Sequence, residues 1–243
     1  MSIIPKIIHQ IWLGPKIRPN IWMDTWKFDY CDKYPEWSYK LWTETEINSL
    51  DLINKKQYDY EPYYNAKSDI ARYEILSKYG GIFMDADSMY LNNKSTSKSN
   101  SLDWIIDRAE INGGFFAATE PKNKNIYANG VIGSIPNHPI MNQMIKHISD
   151  KYYGLKKEKS HEKGVWTITG TLPFTDVVNS NKNILFSLDH KYFYPVSFHQ
   201  NNLPLSKNEI IKKYPESIMM QYGYTSNNIL HNNCMEKYIN ENS

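Results

Sequence analysis

Two cysteines in 243 residues, Cys31 and Cys234, leave no material for a disulfide framework or a thiolate-rich metal site. So few fit a reduced compartment. Charge of one sign is also nearly missing. Lys and Arg number 28 against 26 Asp and Glu, a net +2, too mild to mark a nucleic-acid partner. No window reaches the roughly 18–20 apolar residues that span a bilayer. The opening MSIIPKIIHQIWLG lacks the charged lead and long apolar run of a signal peptide. These absences give the expectation of a soluble, cytoplasmic chain with no transmembrane anchor. There is no GxxxxGK[ST] loop and no internal repeat. What is present is a chain 41% hydrophobic and 14% aromatic, long enough for one sizeable core and read as a single domain over 1–243.

Apolar patterning alternates between strand and helix. Lys6 to Leu13 reads as a buried strand closed by Gly14-Pro15, Ile21 to Tyr34 as a helix, and Trp37 to Trp42 as a second strand. Thr43-Glu44-Thr45-Glu46 has the form of a helix start. From Asn65 to Tyr79, Ala66, Ile70, Tyr73 and Leu76 recur at three and four, and Gly80 is the expected stop. Later come helices over Leu102 to Ile111, His138 to Tyr153 and Gly170 to Asn179. Strands are read over Gly114 to Thr119, Gly130 to Ile135, Ile184 to Leu188 and Tyr192 to Phe198. Asn92 to Ser101 and Tyr153 to Gly164 read as polar loops. The alternation predicts an α/β fold, a mainly parallel sheet with helices on both faces.

The most informative stretch is AKSDIARYEILSKYGGIFMDAD, Ala66 to Asp87. A helix halts at Gly80-Gly81, and the strand Ile82-Phe83-Met84 ends in Asp85 and Asp87 with the small Ala86 between them. Two carboxylates at a strand terminus suit a hard cation such as Mn²⁺ or Mg²⁺, which takes one or two protein carboxylates and completes its shell with water and phosphate oxygens. Asp69 and Arg72 stand three apart on one helix face. They are either an ordinary surface ion pair or a pair aimed at a ligand. Asn65 and Ser68 either cap the helix start or join them. Trp12, at the end of the first strand, sits where α/β sheets place ligands. His9 reads as a core histidine.

IPKIIHQIWLG, SDIARYEILSKYGG and IFMDAD together resemble the DXD-motif glycosyltransferases. The nearer kin are fungal-type initiating α-1,6-mannosyltransferases with bacterial and viral relatives, and the sugar-transferring domains of large clostridial toxins are more distant. GSIPNHP, TGTLPFTD and FYPVSF match the family's later landmarks. The resemblance implies a GT-A fold, with a nucleotide-binding half over about 1–90 and an acceptor half over about 91–243. It implies a UDP- or GDP-linked sugar donor, a divalent metal, retention of anomeric configuration, and a hydroxyl acceptor on a glycan, lipid or protein.

By the same resemblance Asp87 ligates the metal and Asp85 works through water and donor hydroxyls. Asp69 and Arg72 line the donor pocket, Trp12 stacks on the base unless it is a core residue, and His231 supplies a third metal ligand, with Asn232 or Asn233 as replacements and His199 as an outside candidate. Asn129 and Thr169-Gly170 either border the sugar or serve turns and caps. The sequence departs from the family where a C-terminal Ser-Trp is usual, having Cys234-Met235 instead. Two other classes stay open on residues alone: a catalytically weakened carbohydrate-binding protein, and a metal-dependent phosphotransferase or nucleotidyltransferase.

Overall fold

The computed structural model describes residues 3–92, 101–151, 164–196 and 206–223. Six strands form one sheet in the order β2-β1-β3-β6-β5-β7. They are β1 (Ile7–Ile11), β2 (Ser38–Trp42), β3 (Gly81–Met84), β5 (Phe115–Glu120), β6 (Asn123–Ser134) and β7 (Phe186–Leu188). β1 runs parallel to β2 and β3, and β5 parallel to β7, while β6 opposes both its neighbours. The sheet is therefore mainly parallel with one reversed strand. A separate two-stranded ribbon joins β4 (Ser88–Tyr90) to β8 (Met219–Gln221).

Strand alternation sends Ile82 and Met84 to one face and Phe83 to the other. Helices α4 (Tyr64–Tyr79), α6 (Pro139–Lys151) and α7 (Thr171–Asn179) cover the Phe83 face, through Ile70, Tyr73, Met144 and Phe174. The opposite face is covered by the wider-wound helical segment Thr25–Cys31, which continues α1 (Asn20–Asp24), and by α5 (Asp103–Ile111), through Trp26, Tyr30, Ile105 and Ile106, while Trp22 of α1 packs with Met89 and Met220 of the ribbon. Short helices α2 (Glu44–Asn48), α3 (Lys55–Tyr60) and α8 (Lys207–Lys213) complete the described residues. Trp22, Trp26, Tyr30, Tyr73 and Tyr90 are all fully buried, so much of the aromatic content builds the core. Each such side chain contributes roughly 1.5–3 kcal/mol of transfer free energy.

The α4–β3 connection needs its two glycines. Gly80 and Gly81 have φ of 64° and 94°, and a Cβ on Gly81 would lie 2.8 Å from the Ile7 carbonyl oxygen. His9 locks this turn from β1. Its Nε2 bonds the Gly80 carbonyl at 2.9 Å and its Nδ1 accepts from Trp42 Nε1 at 3.0 Å, which is the core role expected for it. Between β5 and β6, Phe116 lies directly across from Gly133, and a Cβ there would overlap the Phe116 ring at 1.9 Å.

Two element expectations need correction. The described part of the expected strand Tyr192 to Phe198, residues 192–196, is not a strand: His190–Tyr192 forms a 3₁₀ turn, the Phe193 and Tyr194 N–H groups both donate to the His190 carbonyl, and residues 197–198 lie outside the described residues. An apolar run interrupted by Pro195 has no free edge to pair along. The strand read at Gly130 to Ile135 instead begins at Asn123, with a polar, exposed first third. Of the two polar loops, residues 93–100 and 152–163 lie outside the described residues.

Candidate active site

The carboxyl ends of β1, β3 and β5 converge on one edge of the sheet, where α/β folds seat ligands. At the end of β3, the Asp85 N–H donates to the Gly130 carbonyl at 2.8 Å. The Asp85 carbonyl accepts from Gln10 Nε2 at 3.0 Å and Ser88 Oγ at 2.6 Å. The backbone of the acidic pair is thereby fixed by β1, β6 and the turn into β4.

The side chains assemble around Arg72. Its NH2 group lies 3.2 Å from Asp69 Oδ1 and 3.1 Å from Asp85 Oδ1, and donates to Ser68 Oγ at 3.3 Å. NH1 donates to the Asn129 carbonyl at 2.5 Å, and the guanidinium stands 4.2 Å over the Phe83 ring. Nε is buried with no hydrogen-bond partner among the described residues. Asp69 is completed by Asn129 Nδ2 on Oδ1 at 2.9 Å and Thr169 Oγ1 on Oδ2 at 2.9 Å. Asn129 also accepts from Thr171 Oγ1 at 3.1 Å and donates to Tyr73 OH at 3.2 Å.

This is no surface ion pair: the Asp69 and Arg72 side chains are only 7% and 6% exposed. Burial is the largest influence on Asp69 and raises its pKa to about 6 against the pull of Arg72. Burial likewise raises Asp85, offset in part by Arg72 and Gln221. Burial opposes the charge on Arg72, but Asp85 and Asp69 outweigh it and hold its pKa above the ordinary value. With both carboxylates ionised, Asp69, Asp85 and Arg72 together carry one net negative charge.

A divalent cation fits that charge and donor set. Among the described residues each Asp85 oxygen is engaged once, by Arg72 and by Gln221 Nε2 at 2.9 Å, which leaves each with lone-pair capacity. Asp87 closes the turn just before β4, with its carbonyl held by the Tyr222 N–H at 2.9 Å. Among the described residues no three His, Cys, Asp or Glu side chains converge as a metal cage. Two oxygen ligands, with water and diphosphate filling the rest, is the habit of Mg²⁺ and Mn²⁺ rather than zinc.

The other expected residues fall as follows. Trp12 directly follows β1, half-buried, with Nε1 donating to the Lys16 carbonyl at 3.1 Å and its ring against the Trp22, Met89 and Met220 cluster. Neither Asn65 nor Ser68 is the N-cap of α4, which is Tyr63, but Asn65 Oδ1 accepts the first-turn Ala66 N–H at 3.0 Å. Asn65 lies in the exposed first turn, and Ser68 faces Arg72. Gly170 lets the Trp166 turn approach Asp69: a Cβ there would meet Trp166 Cα at 2.8 Å and Asp69 Oδ2 at 3.3 Å. His231 and His199 lie outside the described residues. Sequence reasoning missed Gln221, Tyr194 and Gln10. The polar Gln10, beside His9 in a strand otherwise built of isoleucine, was the one available signal.

The sheet order, with β6 reversed among parallel strands and an acidic pair at the end of β3, is that of a GT-A fold. Residues 19–108 match the family described as "Glycosyltransferase sugar-binding region containing DXD motif". An uncharacterized glycosyltransferase of Acanthamoeba polyphaga mimivirus is 30% identical over 213 residues, 83% of this chain and 77% of that one. Inositol phosphoceramide mannosyltransferase 3 of Schizosaccharomyces pombe is 30% identical over 149 residues, 60% of this chain but only 37% of the yeast protein. Among solved structures, the UDP-bound glycosyltransferase domain of the YGT toxin superposes with a TM-score of 0.51 at 11% identity, covering 77% of this chain and 80% of that one. The chain belongs to the DXD-type glycosyltransferase family. No helix among the described residues is long and apolar enough to cross a membrane.

Proposed function

We propose that the protein transfers a hexosyl unit, with retention, from a nucleoside-diphosphate sugar to a hydroxyl acceptor, using Mn²⁺ or Mg²⁺. The observation that carries this reading is the buried Arg72, bracketed by Asp69 and Asp85 at the end of the strand that leads into Asp87. The UDP in the toxin structure and the mannosyl transfer named for the yeast relatives support a UDP- or GDP-linked donor. The chain spans well under half of that yeast protein's length, so a lipid-linked acceptor is an extension of the same proposal, beside glycan and protein acceptors.

Bound between Asp85, Asp87 and a diphosphate, the cation would supply neutralising charge for the leaving group. Arg72 adds fixed positive charge that needs no reorganisation, because Asn129, Ser68 and two carboxylates already hold it. Its unpartnered Nε–H is a further donor for an anionic oxygen. Asp69, held by Thr169 and Asn129, offers a rigid acceptor to sugar hydroxyls. Most of the rate advantage comes from this preorganisation and from positioning. We further propose that residues up to about 90 chiefly serve the nucleotide and the remainder the sugar and the acceptor.

The direct test separates nucleoside diphosphate from sugar nucleotide by chromatography after incubation with Mn²⁺ and a panel of UDP- and GDP-sugars. The wild type releases the diphosphate. Asp87→Ala loses roughly 100-fold or more, the scale of removing one preorganised electrostatic contact. Wild-type turnover by that variant refutes the role given to Asp87.

A further inference from the structure

The β4–β8 ribbon brings a segment distant in the chain against both members of the acidic pair. Gln221, opposite Ser88 in the ribbon, donates from Nε2 to Asp85 Oδ2 at 2.9 Å. Its neighbour Tyr222 donates its N–H to the Asp87 carbonyl and stacks on Trp22 with ring centroids 4.6 Å apart. The contact depends on Gly130. A Cβ on that residue would lie 2.6 Å from Asp85 Oδ2 and 3.1 Å from both Gln221 Oε1 and Tyr194 OH. Three polar groups thus close over a spot that no other residue would leave open.

The geometry around Arg72 shows what Gln221 prevents. An arginine and a carboxylate left alone prefer a two-oxygen, side-by-side pair. Here Arg72 touches Asp85 through Oδ1 only, while Gln221 holds Oδ2. Without that second donor, nothing among the described residues keeps Asp85 from rotating both oxygens onto the guanidinium. That rotation would occupy N–H groups of Arg72 and turn the carboxylate's unused lone pairs away from a ligand.

We infer that Gln221 is a positioning residue for the donor: it holds Asp85 in single-oxygen contact with Arg72, and Gly130 leaves the room that this arrangement needs. The inference rests on the proposed donor site and names a determinant of its affinity that lies 136 residues from Asp85 in sequence. Gln221 acts through Asp85 and touches no reacting atom.

Gln221→Met keeps the side-chain length and removes the donor. Titration calorimetry with Mn²⁺ plus UDP, and with Mn²⁺ plus GDP, gives the affinity. The variant should bind the nucleotide that the wild type binds about tenfold more weakly, the usual effect of losing one such hydrogen bond. Donor-hydrolysis kcat should stay within about threefold while the donor KM rises, as for an interaction felt in binding. In an Asp85→Asn background, Gln221→Met should cost nothing further, since coupled residues are not additive. Unchanged affinity, or an equal penalty in that background, overturns the inference. A crystal structure of ligand-free Gln221→Met decides the positioning step without any nucleotide. Asp85 turned to a two-oxygen pair with Arg72 supports it, and an unmoved Asp85 refutes it. If the wild type binds neither nucleotide, the donor-site reading has failed, and the crystal structure still judges Gln221.

Discussion

Arg72 shows how much one side chain can organise. It touches α4 through Ser68 and Asp69, β6 through the Asn129 carbonyl, and the end of β3 through Asp85. A lysine keeps the charge but has one rotating ammonium where this site uses a planar fork. Arg72→Lys should therefore fold, with a melting temperature a few degrees lower, and lose roughly 10- to 100-fold in donor turnover, read by thermal melt and diphosphate release. The spacing of Asp69 and Arg72 made their pairing legible from the chain alone. Their burial was not legible, because the groups that cover them, Asn129, Thr169 and Asp85, come from three later segments whose approach no local pattern records.

At the scale of elements, long periodic segments declared themselves and short ones did not. Helix α4 has a sixteen-residue apolar rhythm and a two-glycine stop. β4 and β8 are three residues each and carry no alternation to read, yet together they hold the acidic pair from the far side. Helix α3, KKQYDY, has a single apolar anchor, Tyr58 in the core, and its start is tied down by the Glu74 carboxylate, which accepts the N–H groups of the preceding Ile53 and Asn54. The α4–β3 joint predicts a pH response. Burial holds both His9 and His138 neutral, with pKa values lowered to about 4. An unfolded histidine titrates near 6.5, so between about 6.5 and 4 the unfolded chain binds more protons, and stability falls as pH falls through that window. His9 alone accounts for about 3 kcal/mol of that loss at most. Asp69, raised by burial to about 6, works in the opposite direction below about pH 6, so the histidine contribution is read as a difference: from about pH 7 to 5 the urea midpoint of His9→Gln, already less stable, should approach that of the wild type.

For the whole molecule, the site is assembled from residues spread between Ser68 and Gln221, so ligand binding and global stability are linked. A nucleotide present with Mn²⁺ at about 100 times its dissociation constant should stabilise the protein by about 2.7 kcal/mol. Differential scanning fluorimetry should show a melting temperature raised by several degrees. EDTA should remove the increment and leave the ligand-free melt unchanged. A nucleotide that shifts the melt equally with and without EDTA would show that the cation takes no part in binding it. The sheet order with its reversed strand was only partly readable. The parallel members follow from strand–helix alternation, but nothing in the apolar pattern of residues 130–135 announced that this strand runs backwards between β3 and β5.

That backward strand places Asn129 and Gly130 on opposite sides, one reaching Asp69 and the other vacating space beside Asp85. Sliding β6 by a single residue would exchange them, pressing a bulky amide onto Asp85 and leaving Asp69 short of a donor. Phe116 seated in the notch above Gly133 works as a detent against such slippage. A packing contact buried away from the chemistry thus keeps the catalytic edge in step.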